Sequence, residues 1–101
     1  MAAYFVAIRE SVLDQAELDE YARLAPKSAQ GHALTPRAQY GRIRITEGAP
    51  LEGAVILEFP TFAEAEAWYD SDAYQAAATH RFRGARYRTF ILEGVPATNG
   101  H

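Results

Sequence analysis

VILEFPTFAEAEAWYDSDAY, residues Val55 to Tyr74, is the stretch on which the fold of this chain turns. The apolar run Val55–Phe59 stops at Pro60 and a helix opens at once. Thr61 with Glu64 three residues on is a capping box, in which each side chain satisfies a backbone N–H that the first helical turn leaves free. The helix runs to about Asp70, after the aromatic pair Trp68 and Tyr69. Asp72 then caps a short third helix, which Gly84 ends. A buried strand therefore feeds straight into a helical pair.

Upstream, Tyr4–Arg9 is rich in β-formers and alternates, which predicts the first strand. Asp14 with Glu17 is another capping box, and Leu18, Tyr21, Ala22 and Ala25 make an i, i+3, i+4, i+7 stripe. Pro26 kinks or ends that helix, and a kinked helix would run one further turn through Lys27–Gly31. Arg42–Ile45 alternates with period two and is followed by the Gly- and Pro-bearing loop Glu47–Gly53. With Ala54–Phe59 it reads as a β-hairpin. Downstream, Arg86–Glu93 is the last strand. The order is β-α-β-β-α-β, an α+β ferredoxin-like arrangement with a four-stranded antiparallel sheet. A single domain spans 1–95, and Pro96–His101 is a tail.

Helices cover one face of such a sheet, so the other face should be polar in a self-sufficient monomer. Here both faces are apolar. Strand one offers Tyr4, Val6 and Ile8 on one side and Phe5 and Ala7 on the other. Strand three sets Val55, Leu57 and Phe59 against Ala54 and Ile56, and the last strand sets Phe90 and Leu92 against Tyr87 and Ile91. A second copy of the sheet is the simplest second cover, so the pattern predicts a homodimeric α/β barrel.

Composition narrows the partners. The chain has 101 residues, 49% of them hydrophobic, no cysteine and a net charge of −3. That charge argues against nucleic acid or an anionic membrane as partner. Without cysteine there is neither a disulfide nor a thiolate metal site. The start, MAAYFVAIRE, lacks a basic n-region and a long apolar core, and no run reaches the ~18 apolar residues of a membrane helix. A cytoplasmic protein without a membrane partner is the expectation.

The segment Val55–Gln75, with Arg81 seven residues after Tyr74 and a close in Leu92-Glu93-Gly94-Val95, resembles the domain-of-unknown-function 1330 family. The opening AAYFVA fits as well, so the resemblance runs from about Ala2 to Val95. It implies a dimeric α/β barrel of ferredoxin-like protomers and no established reaction. The wider superfamily implied includes cofactor-independent monooxygenases, muconolactone isomerases and ligand-binding domains of regulators. The chain departs from the family pattern at Gly31–Gly41, where a tyrosine and two glycines are expected before strand two.

Few side chains point to chemistry. From Tyr74, positions 77, 78, 81 and 82 share a helical face, which turns Arg81 inward among apolar neighbours. A buried guanidinium needs a partner, either Glu58 or Asp70 or the carboxylate of a ligand. Beside it, His80 is a solvated neighbour or a ligand contact. Trp68, Tyr69 and Tyr74 are core aromatics or the wall of a pocket. His32 and Tyr40 lie in the departing segment. As a pair they suit proton transfer, with His32 the proton carrier and Tyr40 a hydrogen-bond donor; otherwise they are a solvated helix-end residue and the first residue of strand two. No histidine or carboxylate spacing suits a metal, and no phosphate loop or dinucleotide fingerprint occurs, so no metal and no cofactor is expected. The expected function is a homodimer that holds a small organic anion between sheet and helices. The alternatives are a cofactor-independent isomerase, lyase or monooxygenase, and an interaction dimer without a pocket.

Overall fold

The structure, a computed structural model, describes residues 1–96. His101 and the rest of the tail beyond Pro96 lie outside the described residues. The elements are β1 (Ala3–Val12), α1 (Gln15–Ser28), β2 (Thr35–Gln39), β3 (Gly53–Phe59), α2 (Phe62–Tyr69), α3 (Asp72–Gly84) and β4 (Ala85–Glu93). The strands form one antiparallel sheet in the order β2-β3-β1-β4, the ferredoxin-like order.

The ladder register sorts the faces. Val6 stands between Ile56 and Phe90, and Tyr4 between Glu58 and Leu92, all on the face without helices. Phe5, Ala7, Val55, Leu57 and Phe59 are buried on the opposite face, under α2 and α3. There Phe5 meets Trp68 edge-on at 5.1 Å, and Trp68 lies 4.1 Å from Tyr74, centroid to centroid. Helix α1 leans on α3 and touches the sheet little. Gly84 makes that contact possible, since a Cβ there would stand 2.8 Å from Leu18 Cδ2. The Gly84 carbonyl also accepts the N–H groups of Leu13 and Asp14, tying the end of α3 to the start of α1.

At two helix starts the expected residue caps the helix, but without the reciprocal glutamate bond of a capping box, since the Asp14 N–H donates to the Gly84 carbonyl and Glu17 turns to His80. Asp14 accepts from Ala16 N–H at 3.0 Å and Thr61 from Glu64 N–H at 3.1 Å. At α3 the cap is Ser71, whose hydroxyl oxygen accepts from Tyr74 N–H at 3.2 Å. Asp72 is instead the first helical residue, where a carboxylate favours the positive end of the helix dipole. Pro26 is accommodated inside α1, which continues to Ser28.

The larger correction concerns strand two. It is Thr35–Gln39, inside the segment that departs from the family pattern, and not Arg42–Ile45. Pro36 fits there because β2 is an edge strand, and the register slips between Pro36 and Ala38. Tyr40, at a φ of 53°, then turns the chain out of the sheet. Residues 41–52 leave as an exposed arm, and Ile43 and Ile45 have no strand beside them.

Candidate functional site

Because α1 stands off the sheet, a groove of about 680 Å³ opens between them. Phe5, Ala7, Val55 and Leu57 form its floor. Small residues of α1, among them Ala22, Ala25 and Pro26, form a wall, and Trp68 and Leu34 lie at its inner side. Trp68 is fixed there by its indole N–H, which donates to Ser28 Oγ at 3.2 Å.

The polar end of the groove is built on Arg9. Its Nε is buried without a hydrogen-bond partner, and its Nη2 makes only a long 3.5 Å bond to the Glu52 carbonyl. The guanidinium lies 4.7 Å from the Tyr40 ring centroid, a cation–π contact. The Tyr40 hydroxyl shares a 2.5 Å hydrogen bond with Tyr87, and both residues line the groove. The Tyr40 ring lies over Gly53, where a Cβ would come within 2.6 Å of its Cδ1. A tyrosine held in the left-handed region over a glycine, beside a cation, is stored strain of the kind that gathers at binding sites.

The hydroxyls here are donors, not bases. Burial, reinforced by the neighbouring Tyr74, pushes the Tyr21 phenol far above its usual range. Tyr40 keeps one side in solvent, yet burial of its hydroxyl end and the bond to Tyr87 push it up too. Burial raises Tyr74 against the opposing pull of Arg81. Tyr21 and Tyr74 share a 2.9 Å hydrogen bond.

The residues singled out in the sequence are distributed over more than one place. Tyr40 and Trp68 line the groove. Tyr74 is wholly buried in the aromatic core. His80 Nδ1 is 3.1 Å from Glu17 Oε2, in a contact that links α3 to α1. His32 is not part of the groove lining; its N–H donates to the Ala29 carbonyl in the turn after α1. Arg81 is 4% exposed and, with Tyr69, faces a separate concavity beside β4. Neither Glu58 nor Asp70 pairs with it; Glu58 is held by Arg37 at 2.7 Å. Arg9 was missed, although its parity with Phe5 and Ala7 on β1 already sets it on the helix side. Among the described residues no helix is long and apolar enough to cross a membrane, and no group of three histidine or acidic side chains could hold a metal.

This geometry is that of a ferredoxin-like α+β protein with a groove between its sheet and its first helix. The chain belongs to the domain-of-unknown-function 1330 family, whose profile matches residues 2–95. Solved structures agree with that fold. A protein of unknown function from Rhodopseudomonas palustris superposes with a TM-score of 0.71 at 13% identity, covering 93% of this chain and 82% of that one. A dimeric ferredoxin-like protein of unknown function from Jannaschia sp. CCS1 gives 0.64 at 14% identity, covering 93% of this chain and 100% of its own. SnoaB, a cofactor-independent oxygenase from Streptomyces nogalater, gives 0.58 at 13% identity, covering 99% and 98%. No curated protein matches the chain at a significant level.

Proposed function

We propose that this protein is a homodimer that binds a small, partly apolar organic anion in the groove between α1 and the sheet. The observation that carries the reading is Arg9: a cation with a buried, unpartnered Nε in a mostly apolar groove, whose lining also holds Gln15, Asp19 and Gln39. A volume of about 680 Å³ falls within the range of small-molecule sites, roughly 300–1,000 Å³. A carboxylate at Arg9 would answer the stranded donor, and Tyr40 and Tyr87 would add neutral hydroxyls. The dimer is supported by the uncovered apolar sheet face and by relatives described as dimeric. Titration calorimetry with a panel of aromatic and dicarboxylic acids tests the site, with Trp68 fluorescence as a local reporter. Saturable binding that Arg9→Met weakens at least tenfold is the expected result. If no acid of the panel binds or perturbs Trp68, the reading fails.

A second reading, cofactor-independent chemistry, draws on the position of Tyr40 in the groove and on the likeness to SnoaB. In it Tyr40 donates to the substrate and His32, in the turn between the groove residues Ala29 and Leu34, carries the proton. Turnover of a bound acid that His32→Gln abolishes while binding persists is the required signature.

A further inference from the structure

Beside β4, between it and the end of α3, lies a second concavity of about 450 Å³. Arg81 reaches it from α3, and Tyr69 from α2. Arg86 and Thr89 line it from β4, and Glu10 from β1. Arg81 is the unusual member. It is 4% exposed, its Nε is buried with no hydrogen-bond partner, and no ion pair involves it among the described residues. Its guanidinium carbon lies 4.9 Å from the Phe82 ring centroid and 5.1 Å from that of Tyr87. Two aromatic faces and the neighbouring Tyr74 hydroxyl hold the charged group, but none of them offers it a counter-charge. Arginine does not shed its proton, so the positive charge persists in a place where water cannot fully solvate it.

We propose that this concavity, which shares the Tyr87 side chain as a wall with the α1 groove, is a second ligand site that binds the carboxylate of a small monocarboxylic acid or α-amino acid. The fork of N–H donors on a guanidinium matches the two oxygens of a carboxylate, so Arg81 supplies both charge and direction. Thr89 adds a hydroxyl donor at the lining. The count of charges restricts the ligand: Arg81 and Arg86 against Glu10 leave one net positive charge, which suits one carboxylate and disfavours a polyanion. Glu10 is also the acceptor that an α-ammonium group would need. Aromatic contacts keep the guanidinium in place while the site is empty, so the ligand meets a pre-set fork and loses little freedom in ordering it.

Buried arginine Nε–H groups exchange slowly with water, which makes them separable signals in a proton–nitrogen spectrum; Arg9→Lys and Arg81→Lys assign the two. Acetate and glycine are the probes, titrated against chloride at constant ionic strength. The expected result is a saturable displacement of the Arg81 Nε–H signal by acetate and by glycine, with glycine the tighter of the two, and none by chloride. Arg81→Lys keeps the charge but loses the fork, so binding followed by calorimetry should weaken at least tenfold. Thr89→Val, a smaller change at the rim, should weaken it several-fold and serves if the lysine variant does not fold. The site is overturned if neither probe displaces the Arg81 signal saturably, if chloride displaces it equally, or if Thr89→Val leaves acetate affinity unchanged. The α1 groove is judged separately, by the Arg9 signal and Trp68 fluorescence with aromatic acids, so either site can fail alone.

Discussion

Tyr40 concentrates several constraints in one residue. Its φ of 53° is uncommon for a side chain of this size, and it persists because three contacts hold it. They are the bond from its N–H to the Ala54 carbonyl, the bond between its hydroxyl and Tyr87, and the Arg9 guanidinium over its ring. Gly53→Ala should push the ring aside, because the new methyl would meet it at 2.6 Å. We expect a loss of about 1–3 kcal/mol in urea unfolding, together with weaker acid binding in the groove; full stability in that variant would show that the ring moves freely. The buried phenols give a pH dependence. In the unfolded chain tyrosines ionise near pH ~10, whereas burial keeps Tyr21 and Tyr74 protonated above it. The folded state then holds more protons than the unfolded one, so stability is intact below pH ~10 and falls as pH rises above it. Urea midpoints between about pH 8 and pH 11 should show that fall, and Tyr21→Phe should make it shallower. An identical slope in the variant would remove Tyr21 from the account.

At the level of elements, the α1–α3 contact depends on a missing side chain. Gly84→Ala places a methyl 2.8–3.0 Å from Leu18, including its backbone nitrogen, so one helix must shift. We expect a destabilisation of roughly 1–3 kcal/mol and a change in the volume of the groove that α1 walls. Equal stability of the variant would mean that α1 floats on α3. The cap assignment is as easily checked: Ser71→Ala should lower stability by about 0.5–2 kcal/mol, and Asp72→Asn by less. Strands β1, β3 and β4 were legible in the sequence because burial on one or both faces imposes a pattern. Strand β2 was not, since all of Thr35–Gln39 is exposed and an edge strand needs no apolar alternation. Arg42–Ile45 has the alternation, but this chain provides no strand for it to pair with. The site was legible in part. Helical spacing turned Arg81 inward, whereas Arg9 was passed over although β1 parity could have marked it, and the groove itself depends on how far α1 stands from the sheet, which no local pattern encodes.

For the whole molecule the decisive feature is the uncovered sheet face, where Phe90 is 45% and Leu92 57% exposed beside Tyr4, Val6 and Ile56. An obligate dimer should bury well over ~1,200 Å² there, and light scattering should return twice the chain mass of 11.2 kDa. Phe90→Glu sets a charge at the middle of that face and should yield monomer or misfolded chain. A monodisperse dimer of that variant would place the interface elsewhere. The exposed arm carries a different consequence, which concerns the test tube and the crowded cell. Ile43 and Ile45 form a short β-prone strip without a neighbour, the kind of segment from which fibrils grow. Arg42 and Arg44 interrupt it and act as gatekeepers that keep copies of the arm apart by repulsion. Replacing both with threonine should leave the fold unchanged and turn a clear solution turbid on standing.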